Sequence, residues 1–246
     1  MTDVKTQTVH YTGGGADMTG HYARDVERAG PLPGILVVHE WWGCNDYARK
    51  RAEMLAELGY AALAVDLYGG GRTADNPDAA GALMNAVIED MGAGRERFLA
   101  GLEWLKSQPG VDAARTGAIG YCFGGGVVLH MARSGADLDV VASFHGSLGL
   151  VKAPGPEHID CRVVAYNGAA DPFVPDEDIE AFESEMGAVG AHWQLVQLPG
   201  TLHGFTNPAA TTNGEKFGLP LKYSKLADQA SWAHLQLVLL DVFETA

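Results

Sequence analysis

The chain has 246 residues, 47% of them apolar and 20% charged, a globular balance that excludes a disordered segment and is long enough for one α/β core. Its formal charge of −14 repels phosphate backbones and anionic lipid, so neither nucleic acid nor a membrane surface is an expected partner. No apolar run approaches the roughly 20 residues of a membrane span, Met1-Thr2-Asp3-Val4-Lys5 does not open a secretory signal, and three cysteines cannot all pair. A cytoplasmic chain of one domain, residues 1–246, with free thiols is the expectation.

In chain order, Lys5 to Tyr11 and Gly20 to Asp25, separated by the glycine-rich Thr12 to Thr19, read as an edge hairpin within residues 1–30. Gly34 to Val38 is a β-rich run bounded by Pro33 and a polar turn, which predicts a strand buried on both faces. Asn45 and Asp46 can cap the next helix, where Tyr47, Arg51, Met54, Leu55 and Leu58 recur at helical spacing until Gly59 stops it. Ala61 to Val65 reads as a buried strand and Arg95 to Lys106 as an amphipathic helix. Thr116 to Tyr121, Val140 to Phe144, Cys161 to Asn167 and Trp193 to Leu198 are further strands, with helices near Gly124–Arg133, Asp176–Val189 and Ser224–Phe243. This alternation predicts an α/β fold with a mostly parallel sheet flanked by helices on both faces. Two long loops, Gly69 to about Asp78 and Pro199 to Tyr223, are suspected of function on length alone.

The sharpest local signal is Gly120-Tyr121-Cys122-Phe123-Gly124, a nucleophile-elbow pattern with cysteine in place of serine. A tight strand-to-helix turn leaves no room for side chains two residues either side of the nucleophile, which explains the glycines. The thiol then sits at a helix N-terminus, where the dipole favours a thiolate. The five residues alone fit equally well a glycine-rich turn with a small packed cysteine. Their setting between a predicted strand and a predicted helix favours chemistry, and so do two residues further along the chain. Asp171 lies just past the strand Cys161–Asn167, and His203 just past the strand Trp193–Leu198. Nucleophile, acid and histidine in that chain order, beyond the carboxyl ends of strands, match the α/β-hydrolase arrangement. A histidine needs an acid to fix its tautomer, and a thiol needs that histidine to accept and return a proton.

Other candidates are weaker. His39-Glu40-Trp41-Trp42-Gly43 comes directly after the strand Gly34–Val38, where α/β-hydrolases place one oxyanion-hole N–H, and Glu40 beside two tryptophans is a candidate partly buried carboxylate. His145 ends the strand Val140–Phe144 and is a candidate pocket residue. His10, His21, His130, His158, His192 and His234 read as surface or packed histidines, and Cys44 and Cys161 as packing residues. No CxxC pair or HExxH helix suggests a zinc site.

Taken together these segments resemble the dienelactone hydrolase family, cysteine-dependent α/β-hydrolases of the carboxymethylenebutenolidase type. The resemblance runs from about Gly34 to Phe243 and is carried by VVHEWWG (Val37–Gly43), AVDLYG (Ala64–Gly69), GYCFGG (Gly120–Gly125), FHG (Phe144–Gly146), DPFVP (Asp171–Pro175) and HGFTNP (His203–Pro208). It implies a triad of Cys122, Asp171 and His203, with Glu40 exchanging a proton with the thiol when substrate binds. It also implies an oxyanion hole formed by the backbone N–H groups of Trp41 and Phe123. Trp41, Trp42, Phe173 and Phe205 are expected to line an apolar pocket. Dienelactone hydrolases hold their substrate's carboxylate with arginines, one of them four residues after the catalytic histidine, where this chain has Asn207. Arg72 is the candidate substitute for the second arginine. Losing such a clamp removes about 1.5–3 kcal/mol, or ten- to a hundredfold in binding.

The expected activity is therefore hydrolysis of a small ester or lactone through a cysteinyl thioester, needing no metal and no organic cofactor. The alternatives are a carboxylesterase or thioesterase for neutral substrates, a non-hydrolytic binder of a small ligand, and a thiol redox sensor using Cys122. The chain is expected to be a monomer or a small homo-oligomer.

Overall fold

The computed structural model describes residues 2–149 and 158–244. Backbone packing divides the chain into two compact units, residues 1–119 and 120–246.

In the first unit, β1 (Val4–Gly13) and β2 (Ala16–Asp25) pair antiparallel, in register from Val4 opposite Asp25 to Gly13 opposite Ala16. The connection is two residues long, not the predicted stretch Thr12 to Thr19. Gly14 and Gly15 have φ of 52° and 71°, the left-handed pair that closes a hairpin without splaying its strands. β3 (Leu32–Val38) is buried along its whole length, as its apolar run predicts. It leads to α1 (Asp46–Leu58), capped by Asn45, whose side-chain oxygen accepts the N–H of Tyr47 and Ala48 at 3.1 and 3.4 Å. Arg51 is buried with its guanidinium over the Tyr47 ring, 5.3 Å from the centroid, so its stem completes the apolar face of the helix. β4 (Ala61–Val65) runs parallel to β3, from Gly34 opposite Ala61 to Val38 opposite Val65, and antiparallel to β2.

Two helices come next, α2 (Pro77–Glu89) and α3 (Met91–Lys106). The sequence pattern does not predict the first. Its cap is conventional: the side-chain oxygen of Asn76 accepts the Ala79 N–H at 3.0 Å, and Pro77 takes the first position. Only Ala80 and Val87 are buried along it, so no apolar stripe announces it.

β5 (Val111–Tyr121) starts five residues before the predicted strand, because its first half is exposed or half-buried and carries no apolar run. Its last two residues open the second unit, which continues with α4 (Phe123–Arg133), β6 (Val140–Phe144), β7 (Arg162–Gly168), α5 (Asp176–Ala188), β8 (Trp193–Leu198), α6 (Ala210–Phe217) and α7 (Lys225–Glu244). β6, β7 and β8 are parallel neighbours. Helix α6 breaks up the predicted loop Pro199–Tyr223. Among the described residues the strand order is β1-β2-β4-β3-β5-β6-β7-β8. This mostly parallel α/β sheet is that of the α/β-hydrolase fold. Val38, Val65, Tyr121, Phe144, Gly168 and Leu198 end their strands just ahead of His39, Asp66, Cys122, His145, Asp171 and His203, so the chemistry-bearing residues sit past carboxyl ends. Among the described residues no helix is long and apolar enough to cross a membrane.

The hairpin turn gives a direct test. A Cβ on Gly14 would stand 2.5 Å from the Ala93 carbonyl oxygen in addition to the positive φ, whereas Gly15 has open space around it. Gly14→Ala is expected to cost about 1–3 kcal/mol in urea unfolding, and Gly15→Asn less than about 0.5 kcal/mol, since asparagine tolerates the left-handed region.

Candidate active site

In the second unit, Cys122 stands between β5 and α4 with φ 53° and ψ −117°, a backbone state that L side chains rarely occupy. The turn is held from both sides: the Cys122 N–H donates to the Phe144 carbonyl at 3.0 Å, and the Cys122 carbonyl accepts the Gly126 N–H at 3.2 Å. Gly120 is required by proximity, because a Cβ there would lie 2.1 Å from the Gly124 carbonyl oxygen. Phe123 opens α4, at the end where first-turn N–H groups and the helix dipole face outward.

Of the three cysteines, Cys44 and Cys161 are buried and Cys122 is half-buried. Burial pushes the Cys44 and Cys161 thiols up to about 12, so both stay protonated at physiological pH. They are inert packing residues, as expected from their lack of an elbow.

His203 and Asp171 meet at the other side of Cys122. The buried Asp171 carboxylate receives the His203 Nδ1–H on Oδ2 at 2.7 Å and the Phe173 N–H on Oδ1 at 2.9 Å, which fixes its plane. His203 also interacts electrostatically with the Cys122 side chain. Burial alone would favour neutral His203. The interaction with Cys122, the hydrogen bond to Asp171 and the charge of Asp171 outweigh it, and the pKa rises to about 10. Of the three residues singled out by chain order, Asp171 and His203 are in direct contact, and Cys122 acts on the same imidazole electrostatically.

The surroundings of His203 are aromatic. His145 lies edge-on to it at 5.1 Å between centroids, and Phe173 stands at 5.1 Å and 88° on it. Phe173 is 46% exposed, so this flank of the imidazole is covered by a side chain that itself faces solvent. Phe205 is buried and packs on His145 at 5.1 Å. His145 itself has φ 39° and its Nε2 is 2.7 Å from the Thr206 hydroxyl, tying the end of β6 to the loop that carries His203. Thr206 has no signature in the sequence, because a lone threonine in a loop forms no pattern. Asn207 is buried, and its side-chain oxygen accepts the Ala209 N–H at 2.9 Å, which starts the turn into α6.

The remaining candidates belong to the first unit. Glu40 is buried, and a turn returns the Gly43 N–H to its carbonyl at 3.1 Å, with Trp41 and Trp42 in the corner and their rings 4.8 Å apart. His39 braces this turn: its Nδ1 is 2.6 Å from the Glu40 carbonyl and its Nε2 lies 3.3 Å from the Leu67 N–H. Those partners assign the Nδ1–H tautomer, and burial pushes the pKa of His39 down, so the ring is neutral. The Tyr68 hydroxyl donates to the Trp41 carbonyl at 2.8 Å. Asp66 organises the neighbouring loop by accepting the N–H groups of Tyr68, Gly69 and Gly71 at 2.8, 2.9 and 2.7 Å, together with that of Thr19 at 3.1 Å. Arg72 directs Nε to the Gly69 carbonyl at 3.1 Å and an Nη to the Tyr68 carbonyl, so much of its guanidinium serves its own loop.

Comparison with known proteins agrees with this fold. The dienelactone hydrolase family model matches residues 19–243, nearly the whole chain. The chain belongs to the dienelactone hydrolase family. Among solved structures, a dienelactone hydrolase-like promiscuous phosphotriesterase from metagenomic libraries is 33% identical, with a TM-score of 0.88 over 97% of this chain and 98% of that one. A structure titled m3DLH is 36% identical, with a TM-score of 0.88 over 98% of this chain and 99% of the other. Aquifex aeolicus (strain VF5) has a relative provisionally named a carboxymethylenebutenolidase, 29% identical over 206 residues that cover 82% of this chain and 87% of the relative. As a member of this family the chain is a hydrolase.

The raised pKa of His203 has a consequence for stability. A histidine whose pKa rises on folding stabilises the fold fully below its unfolded value near 6.5, and that contribution is lost as pH rises through about 10. The unfolding free energy of the wild type minus that of His203→Gln, measured by denaturant titration from about pH 6 to about pH 10.5, is expected to shrink steadily over this range.

Proposed function

We propose that the protein hydrolyses a small ester or lactone through a cysteinyl thioester, with Cys122 as nucleophile, His203 as proton carrier and Asp171 as the acid that orients His203. The observation that supports this reading is the buried Asp171–His203 hydrogen bond, with the half-buried Cys122 acting electrostatically on the same imidazole. Cys122 as a thiolate attacks the substrate carbonyl, and the C–O π pair moves onto oxygen. The backbone N–H of Phe123 at the start of α4 supplies one donor to that oxyanion. The motif resemblance assigns the Trp41 N–H as the second. Loss of one such donor typically costs about 10²–10³ in rate.

Collapse of the tetrahedral intermediate breaks the C–O bond, and the imidazolium of His203 protonates the leaving alkoxide. The neutral imidazole then takes a proton from water as that water attacks the thioester. The thiolate leaves, the acid is released, and His203 is again protonated. Asp171 stays ionised throughout and holds the Nδ1–H tautomer. Glu40 is assigned the proton exchange with the thiol that precedes attack.

A second feature narrows the substrate. Asn207 stands where the family's arginine would be, its amide oxygen accepts a backbone N–H, and Arg72 directs two donors to its own loop. The formal charge of −14 adds no attraction for an anion. Uncharged esters, lactones or thioesters therefore suit this site better than a carboxylated dienelactone. The relative named a promiscuous phosphotriesterase adds an uncharged phosphotriester to the panel worth assaying.

The decisive assay uses p-nitrophenyl acetate, a neutral enol-lactone, its carboxylated counterpart and an uncharged phosphotriester. For the esters and lactones, Cys122→Ala and His203→Ala are expected to lower kcat/KM by about 10³-fold or more. The neutral lactone should outrun the carboxylated one by roughly tenfold. Ester turnover that survives Cys122→Ala overturns the cysteine nucleophile. If no substrate turns over, the ligand-binding or thiol-sensing readings replace hydrolysis. A separate experiment measures alkylation of Cys122 by iodoacetamide with and without a substrate analogue. Glu40→Gln is expected to slow the reaction with the analogue bound, and an unchanged rate removes the proton-exchange role.

A further inference from the structure

Helix α7, the last element of the chain, presents an apolar face to solvent. Leu226 is 80% exposed, Leu237 66% and Leu240 42%, while Ala230 and Ala233 between them are exposed as well. Surface leucines scattered singly need no explanation, but these five residues are spaced 4, 3, 4 and 3 apart. That spacing places them on one stripe, at the period by which one helix packs along another. The opposite side of α7 already has its own partners: Ala227, Ser231, Leu235, Val238, Leu239 and Phe243 are buried against the protein. The helix is therefore apolar on two faces, and one of them is uncovered by the described residues.

We propose that this face pairs with α7 of a second copy of the chain, antiparallel and about a two-fold axis through Ala233. Three features select that occupant. The ends of the stripe are self-complementary under reversal: Ala233 lies midway between Leu226 and Leu240, so a two-fold there sets Leu226 against the partner's Leu240 and brings Leu237 one residue from the level of the partner's Ala230, and the reverse contacts arise by symmetry. The small side chains of Ala230 and Ala233 sit at the crossing point, where two backbones approach most closely, and the leucines flank it.

The two ends of the element also differ in charge. Exposed Lys222 and Lys225 lie at its start and exposed Asp241 and Glu244 at its finish. An antiparallel pair brings each basic end to the partner's acidic end, and a parallel pair would set like charges together. For a chain of charge −14 that local complementarity offsets part of the general repulsion. A single helix pair covers an area at the low end of specific interfaces, so the dimer is expected to dissociate on dilution in the micromolar range, roughly 1–100 µM.

The test has two independent arms. In sedimentation velocity between about 5 and about 200 µM, the wild type should shift from monomer towards dimer. Leu237→Glu should remain monomeric with an unchanged thermal midpoint, since that side chain is mostly exposed. In a Cys122→Ala background, where Cys44 and Cys161 are buried, Ala233→Cys is expected to cross-link to itself under mild oxidation. A residue on a two-fold axis meets its own copy, whereas Ser184→Cys, exposed on α5, should not cross-link. A wild type that stays monomeric at the highest concentration overturns the proposal. So does a dimer that persists in Leu237→Glu, or a dimer in which Ala233→Cys fails to cross-link.

Discussion

A buried imidazole that stays positively charged has to be surrounded by groups that want that charge, and the second unit is arranged to provide them. Asp171 supplies a carboxylate at 2.7 Å, itself pinned by the Phe173 N–H, and the Cys122 side chain acts on the same ring electrostatically. Each partner alone would leave a charge in a low-dielectric setting. Removing Asp171 from this buried pair is costly because the imidazole charge is left uncompensated. The carboxyl ends of β5, β7 and β8 supply these three residues, so the parallel sheet is what lets three distant stretches of sequence meet at one imidazole.

The same logic separates the three thiols. Burial keeps Cys44 and Cys161 protonated, and at Cys44 it outweighs the opposing pull of Arg49. Reactivity here depends on electrostatic surroundings and access, and cysteine content says nothing of it. In the first unit, equivalent order is imposed with neutral groups and main-chain donors. His39 bridges two loops as a neutral ring, and Asp66 gathers four backbone N–H groups, so the turn bearing Glu40, Trp41 and Trp42 is fixed by hydrogen bonds to the main chain.

Most of the core is legible in the sequence because buried parallel strands leave continuous apolar runs: Gly34–Val38, Ala61–Val65 and Val140–Phe144 lie within strands almost at those limits. The elbow is legible because its glycines answer to a steric demand that only they meet. Legibility fails where structure rests on local hydrogen bonds. Helix α2 buries two residues and starts at Asn76-Pro77, a cap that is recognisable only to a reader who does not first demand an apolar stripe. The hairpin tip reads as too long because a glycine-rich stretch looks like a loop even when two of its glycines complete the turn. Thr206, His39 and Asp66 act through contacts that reach partners 61, 28 and 47 residues away, and no spacing rule reports those.

The elbow at Cys122 fixes the position of the proposed nucleophile through main-chain contacts: a carbonyl of β6, an N–H of α4 and the room left at Gly120. None of these contacts involves sulfur. The scaffold therefore specifies where a nucleophile stands without specifying its element, and an oxygen or a sulfur could occupy the same point with the backbone unaltered. What differs is the demand on the imidazole, since a hydroxyl must be deprotonated during attack while a thiolate can be held ready beforehand. A lineage could exchange one nucleophile for the other in a single codon change, leaving the fold intact and moving the selective burden onto His203 and its neighbours.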